Sequence, residues 1–227
     1  MTYARLALVL AAPLLLVSCL LTPGKFTSTL DVKRDRSFTF TYVGEAIVAE
    51  EQGGGLQQAE CAEDDEDCTP PTAADKAEKA AAQEAKLKEV GEALSKEAGY
   101  RSVEYLGNRK FRVDYAVSGT LDRSFIYPFN SDAAAIIPWI AIELRKDGTA
   151  RIKAPGFGDE GGGTGAAPNP LAETAREREG TFTLTTDAEI VAQNEESGAA
   201  AGPGGTKRIV WRVTPSSKLT PTAVLRF

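Results

Sequence analysis

Hydrophobic and polar residues alternate with a period of two over much of this chain. In FTSTLDV, residues 26–32, Phe26, Ser28, Leu30 and Val32 fall on one face, and Thr27, Thr29 and Asp31 on the other. After the polar KRDR the alternation resumes in SFTFTYVGEAIV, where Phe38, Phe40, Tyr42 and Ala46 share a face opposite Thr39 and Thr41. Alternation rich in Thr and aromatics predicts half-buried strands. Two such runs around a short polar turn predict a hairpin. The pattern returns in RSVEYL, which leads through Gly107–Asn108 into RKFRVDYAVSGTL, with Phe111, Val113, Tyr115 and Val117 on one face. SFIYPF, residues 124–129, reads as an extended aromatic segment at an edge or a bend, because Pro128 cannot donate to a ladder. IPWIAIELRKDGTARIKA reads as a hairpin turning at Asp147–Gly148, and TFTLTTDAEIVAQN, KRIVWRVT and TPTAVLRF as further strands. A final aromatic, Phe227, ends the last strand, but charged residues on many strand faces exclude a membrane-spanning barrel.

Between residues 72 and 99 the period changes. TAADKAEKAAAQEAKLKEVGEALSKEAG carries a thin apolar stripe of Leu87, Val90 and Leu94, extended by Ala80 and Ala98. Thr72 and Asp75 match an N-terminal capping pattern just after Pro70–Pro71, and Gly99 predicts the stop. So weak a stripe suits a helix lying on a sheet or projecting into solvent, or one that docks a partner. PGFGDEGGGTGAAPNP, residues 155–170, has the composition of a mobile loop. Its GGGTG lacks the Lys-Ser/Thr pair of a phosphate-binding loop. LAETARERE reads as a short helix. The sum is an α+β chain, predominantly antiparallel β, with about nine or ten strands in a sandwich or curved sheet and one long helix near 72–99.

Ahead of the first strand the pattern is of another kind. MTYARLALVLAAPLLLVS has one charge, Arg5, then an apolar run from Leu6 to Val17, then Ser18. This is the order of an export signal. The run is short of the roughly 20 apolar residues that span a bilayer, and Pro13 interrupts it. The four residues LVSC, Leu16 to Cys19, resemble the lipobox of bacterial lipoproteins. The resemblance implies cleavage between Ser18 and Cys19, a diacylglycerol on the Cys19 sulfur, and an acylated new amino terminus. Acyl chains would then be the membrane partner, and more than one chain makes such an anchor stable. Leu20 is not the aspartate that retains these proteins at an inner membrane, so the resemblance implies the periplasmic face of the outer membrane in a two-membrane cell. On this reading residues 1–18 are removed and 19–25 are the lipidated cysteine and its tether. Residues 26–227 then form one β-rich extracytoplasmic domain, with an acidic disulfide loop and the helix inserted at 49–99.

Charge and rare residues narrow the chemistry. Loss of Arg5 with the leader takes the net charge from −6 to −7. An acidic chain with no basic cluster is poorly suited to bulk-charge recognition of nucleic acid or anionic lipid. Export puts Cys61 and Cys68, in CAEDDEDC, in an oxidising compartment and predicts a disulfide. So short a loop contributes a modest 2–3 kcal/mol, on the order of chain-entropy reasoning. The five acidic residues between the cysteines lack the spacing of a calcium loop, which favours a solvated acidic loop over weak calcium binding. The chain contains no histidine. That removes Ser-His-Asp and Cys-His activation and the commonest zinc ligand sets. No cofactor motif and no catalytic set is predicted.

Near the C-terminus, GTFTLTTDAEIVAQNEESG followed by GGTKRIVWRV resembles a block of LppM-like envelope lipoproteins. Thr185 to Ile190 stand at its turn, Asn194 follows, and Trp211 is its central tryptophan, although TTDAEI stands where those proteins have a Pro-Gly-like turn. The resemblance implies a β-rich, membrane-anchored domain with no established catalytic residues. From the residues alone, Trp211 is a core tryptophan between Ile209 and Val213, and Asp187 and Asn194 are turn formers.

Three readings of function stay open. One is non-catalytic binding of a lipid, glycan or protein partner, with Phe125, Tyr127, Phe129 and Trp139, beside Ile136 and Ile137, at a pocket mouth or in the core. A second is an accessory subunit of an envelope complex that docks through the helix at 72–99. The third is a carboxylate-dependent polysaccharide hydrolase using two of Asp114, Asp122, Asp132 and Glu143.

Overall fold

The computed structural model describes residues 21–49, 72–129, 138–159 and 172–227. Ser18, Cys19, Cys61, Cys68, Asp132, Ile136, Ile137 and the GGGTG stretch lie outside the described residues.

Strands β1 (Leu21–Val32) and β2 (Ser37–Val48) form the predicted hairpin, with Leu30 opposite Phe40 and Val32 opposite Phe38. Phe26, Ser28, Leu30 and Val32 are buried and Thr27 and Thr29 exposed, as a period-two face requires. Ser28 is tolerated inside because its hydroxyl donates to the Thr41 carbonyl at 3.0 Å. The tether expected within 19–25 is corrected over 21–25, where β1 begins at Leu21, while Cys19 and Leu20 lie outside the described residues. Pro23 fits in a strand because pairing on its other side begins only at Lys25. A bulge follows between Pro23 and Phe26, facing Gly44. A Cβ at Gly44 would lie 2.4 Å from the Lys25 carbonyl, so this close approach requires glycine.

Two sheets result. The larger adds β3 (Tyr100–Gly107), β4 (Lys110–Thr120), β8 (Glu179–Thr186), β10 (Ala200–Ala201) and β11 (Lys207–Val213) to the hairpin, in the order β10-β11-β8-β1-β2-β4-β3. The smaller contains β5 (Phe125–Tyr127), β6 (Ile140–Leu144), β7 (Thr149–Lys153), β9 (Glu189–Gln193) and β12 (Thr222–Arg226), in the order β5-β6-β7-β12-β9. They share one core, built from Leu30, Phe40, Tyr42, Phe182 and Leu184 on one side and Ile142, Ile152 and Leu225 on the other. The α+β class, the long helix and the edge position of the SFIYPF strand all hold.

Three details differ from the sequence reading. First, β1 and β8 pair in parallel, so the larger sheet is mixed. Second, TFTLTTDAEIVAQN crosses between sheets. The Thr186 hydroxyl accepts the Ala188 N–H at 3.0 Å and turns the chain out of β8 into β9. Third, the loop at 155–170 opens with a buried turn. Pro155–Phe157 is a short 3-10 turn, and Phe157 is fully buried, stacked on Phe26 at 4.3 Å between ring centroids. Glycine-rich composition concealed an aromatic plug.

Helix α1 (Ala73–Leu94) starts at the predicted cap. Thr72 accepts the Asp75 N–H, and the Asp75 carboxylate accepts the Thr72 N–H at 2.9 Å. It ends five residues before Gly99, which instead turns the chain into β3 at φ +93°. Residues 73–83 are exposed on every side, Ala80 included. Only Leu87 and Gly91 are buried, and the helix packs on β3. A methyl at Gly91 would lie 3.0 Å from the Phe111 ring, so its absence sets how closely the helix approaches the sheet. A second helix, α2 (Ala172–Ala175), lies against β1.

Candidate functional site

The inward side chains of β2 meet the edge of the smaller sheet. Phe40 lies 5.7 Å from Phe125 and 5.1 Å from Tyr127, and Tyr42 lies 4.7 Å from Trp139. Tyr115, half buried on β4, closes on Tyr127 at 4.4 Å and on Tyr100 at 4.9 Å. Tilted and edge-on pairs of this kind suit the ring quadrupoles and add to burial. Each polar handle inside has a partner. The Trp139 indole donates to the Leu21 carbonyl at 2.9 Å, and the Tyr42 hydroxyl to the Glu45 carbonyl at 2.7 Å. The hydroxyls of Tyr127 and Tyr100 bond to each other.

At the end of the sandwich where β1 begins, this aromatic group borders a cleft. Its walls are Leu21, Ala46, Phe111 and Val113 from the larger sheet, Tyr100 at the start of β3, Tyr127, Pro128 and Trp139 from the smaller sheet, and Leu94 of α1. The space between them holds about one water molecule. Among the described residues no charged side chain lines it. Burial pushes the Tyr100 phenol up to about 12 and those of Tyr42 and Tyr127 well above the ordinary range. These groups therefore act as neutral hydrogen-bonding hydroxyls at physiological pH. The arrangement presents an almost wholly apolar lining around a space of about one water molecule, and the Tyr100 and Tyr127 hydroxyls are engaged with each other.

Of the four aromatics singled out in the sequence, Tyr127 and Trp139 are buried and line the cleft. Phe125 instead packs on Phe38 at 5.1 Å and on Phe40, and Phe129 is 64% exposed. Sequence reasoning missed Tyr100, Leu94 and Phe111 as partners of this group. Phe111 and Tyr115 belong to a recognised strand face, but nothing local says which remote segment that face covers.

The three of the four carboxylates that lie within the described residues do not converge here. Asp114 pairs with Arg101 at 3.6 Å across the β3–β4 hairpin, Asp122 with Arg123 at 3.5 Å, and Glu143 is exposed on β6. None lines the cleft. Among the described residues no group of three or more acidic, histidine or cysteine side chains could hold a metal ion. Among them, too, no helix is long and apolar enough to cross a membrane.

Asn194 is more than a turn former. Its side-chain oxygen accepts from the Trp211 indole at 3.1 Å and from the Thr222 N–H at 2.9 Å, and its amide donates to the Thr220 carbonyl at 2.7 Å. One side chain thus ties the larger sheet to the smaller. Trp211 is a core residue, as its place between Ile209 and Val213 implies.

No family model and no curated protein matches the chain. Among solved structures, the folded domain of LppM from Mycobacterium tuberculosis, determined by NMR, is similar over 92% of this chain and 92% of that one. Identity is 15% and the TM-score 0.33, too remote a likeness to bear on function.

Proposed function

We propose that this chain is a lipid-anchored envelope protein whose β-sandwich binds a hydrophobic or aromatic group, without catalysis, in the cleft beneath the last turn of α1. One observation carries the binding half of this reading. Nine apolar or aromatic residues converge on the cleft, and among the described residues no charged side chain lines it. Its cover is light, since Leu87 and Gly91 are the only buried residues of α1. Displacing that last turn would widen a space that now holds about one water. The anchoring half rests on the leader and LVSC, Leu16 to Cys19, which also carry the reading of an outer-membrane, periplasm-facing location.

The test is a native mass spectrum of the exported, acylated chain in mild detergent, set against a denatured one. The expected result is an adduct beyond the anchor mass that disappears on denaturation and is lost in A46L, which fills the cleft. Its chemical identity would assign it to lipid or glycan. An adduct retained in A46L, or none in either protein, would overturn binding at the cleft.

A second reading has its own observation. Residues 73–83 form a helix exposed on all sides, as a docking element for an envelope protein would. Replacing them with a flexible linker and crosslinking the protein in its own membrane tests this. Unchanged partner recovery would sink it.

A further inference from the structure

Leu21 is the first described residue, and the indole of Trp139 holds its carbonyl. Strand registers show what shares its end of the sandwich. Leu21 stands opposite Val48, Ile47 opposite Lys110, and Lys110 opposite Gly107, so the β3–β4 turn with Leu106 lies at this end. Trp139 precedes β6, whose first residue Ile140 stands opposite Tyr127, so Pro128 and Phe129 leave β5 here. Ala141 is opposite Lys153 and Lys153 opposite Thr222, which brings Lys218 and Leu219, just ahead of β12, to the same end.

Among the described residues five large apolar side chains are substantially exposed, and three of them, Leu106, Phe129 and Leu219, are at this end. The other two, Val43 and Val191, lie within strands. The opposite end carries none among the described residues. Its turns hold Lys33, Arg34, Asp35 and Arg36, then Asp122 and Arg123, then Arg145, Lys146 and Asp147. The apolar run Leu6 to Val17 stops three residues short of Leu21, and Cys19 stands two residues from it. At ~3.3–3.6 Å per residue, the chain holds the Leu21 end within about 7 Å of Cys19 and about 14 Å of Val17.

We infer that the Leu21 end of the sandwich rests on the lipid bilayer, with Leu106, Phe129 and Leu219 as apolar contacts inserted at the headgroup level. This rests on the membrane-anchor half of the proposed function and not on the cleft. Side chains of this kind sink into the boundary between headgroups and acyl chains. The Lys218 ammonium beside Leu219 can reach back to the headgroups while its stem lies along apolar surface. The bilayer is the favoured occupant because the chain itself delivers this end, and only this end, to the surface where an anchor sits.

The test uses the exported, acylated chain, with C61S and C68S, in vesicles of phosphatidylcholine and phosphatidylglycerol. Nitroxide labels are attached to L106C, F129C, L219C, V43C and V191C, one at a time. Collision rates with membrane-soluble oxygen and with a water-soluble nickel chelate are then compared. The expected result is a several-fold higher oxygen-to-nickel ratio at 106, 129 and 219 than at 43 and 191. Equal ratios at all five positions on vesicle-bound protein would overturn the inference and leave the anchor standing. Shielding of the three labels from both quenchers would overturn it in favour of a protein partner or a second copy. Failure of the chain to float with the vesicles would overturn the anchor reading and this inference together.

Discussion

Where β1 begins, the indole of Trp139 reaches a carbonyl 118 positions away in sequence; where the chain enters β2, Ser37 bonds to Asp35, two positions away. The side-chain contacts of the turns at the two ends follow that contrast. At the Leu21 end, Phe157 stacks on Phe26, and Asn194 joins Trp211 to the Thr220–Thr222 segment. At the other end the turns are polar and mostly self-contained. Asp147 accepts from Thr149, and Thr186 accepts from Ala188. Longer links there include the exposed bond of Asp187 to the Arg34 N–H and Arg36 over the half-buried Phe227 ring. Phe125 packs on Phe38 at the other end too, but the side-chain contacts of its turns are mostly local or exposed, so changes to turn contacts at the two ends should have unequal effects.

The largest expected effect is at the Leu21 end. Phe157→Ala removes a fully buried ring that touches Phe26 and Phe182, and should cost about 3–5 kcal/mol in urea unfolding. A loss below about 1 kcal/mol would mean the plug is not part of the cooperative core. Asn194→Ala comes next. It leaves the Trp211 indole and the Thr222 N–H without their acceptor, and should cost about 1–3 kcal/mol. Its partner at the other end, Asp187→Ala, removes one exposed contact to Arg34 and should cost no more than about 1 kcal/mol. If the two substitutions cost the same, the contrast between the ends fails.

Alkaline titration sharpens the comparison without mutation. The Tyr100 phenol is raised by burial from 10.0 to about 12, and burial raises Tyr42 and Tyr127 further. An acid raised in the folded state contributes stability that is complete below its unfolded pKa and lost as pH rises through the folded value. Phenolate absorbance from these residues should therefore appear with cooperative unfolding, between about pH 10 and 12. Ionisation without unfolding would mean that the cleft opens freely to water.

The smallest effect is expected at the free half of α1. Thr72→Ala removes a capping box worth about 1 kcal/mol to a helix. Residues 73–83 touch no core, so amide exchange there should speed up while the unfolding midpoint stays fixed. Hydrogen bonds from Thr72 lower the Asp75 pKa below 3.8. The cap is therefore complete above that value and is lost as pH falls through the lowered one. A shift of the global midpoint in Thr72→Ala would show that the exposed half is packed after all.

What could be read without coordinates was whatever short-range physics decides. Period-two faces marked β1, β2 and β4 because alternate side chains must point to opposite sides of a strand. Thr72 and Asp75 marked the start of α1 because a capping box is complete within four residues. Asp147–Gly148 marked a turn because Gly148 can take φ +80°. Tertiary structure alone decided the rest. The parallel pairing of β1 with β8, the passage of 179–193 from one sheet to the other, the burial of Phe157 within a glycine-rich stretch and the meeting of Tyr100 with Tyr127 all join segments far apart in sequence. Such contacts form because burial shared by the whole core outweighs the entropy of closing long loops. That balance belongs to the assembled sandwich, and no local window of residues contains it.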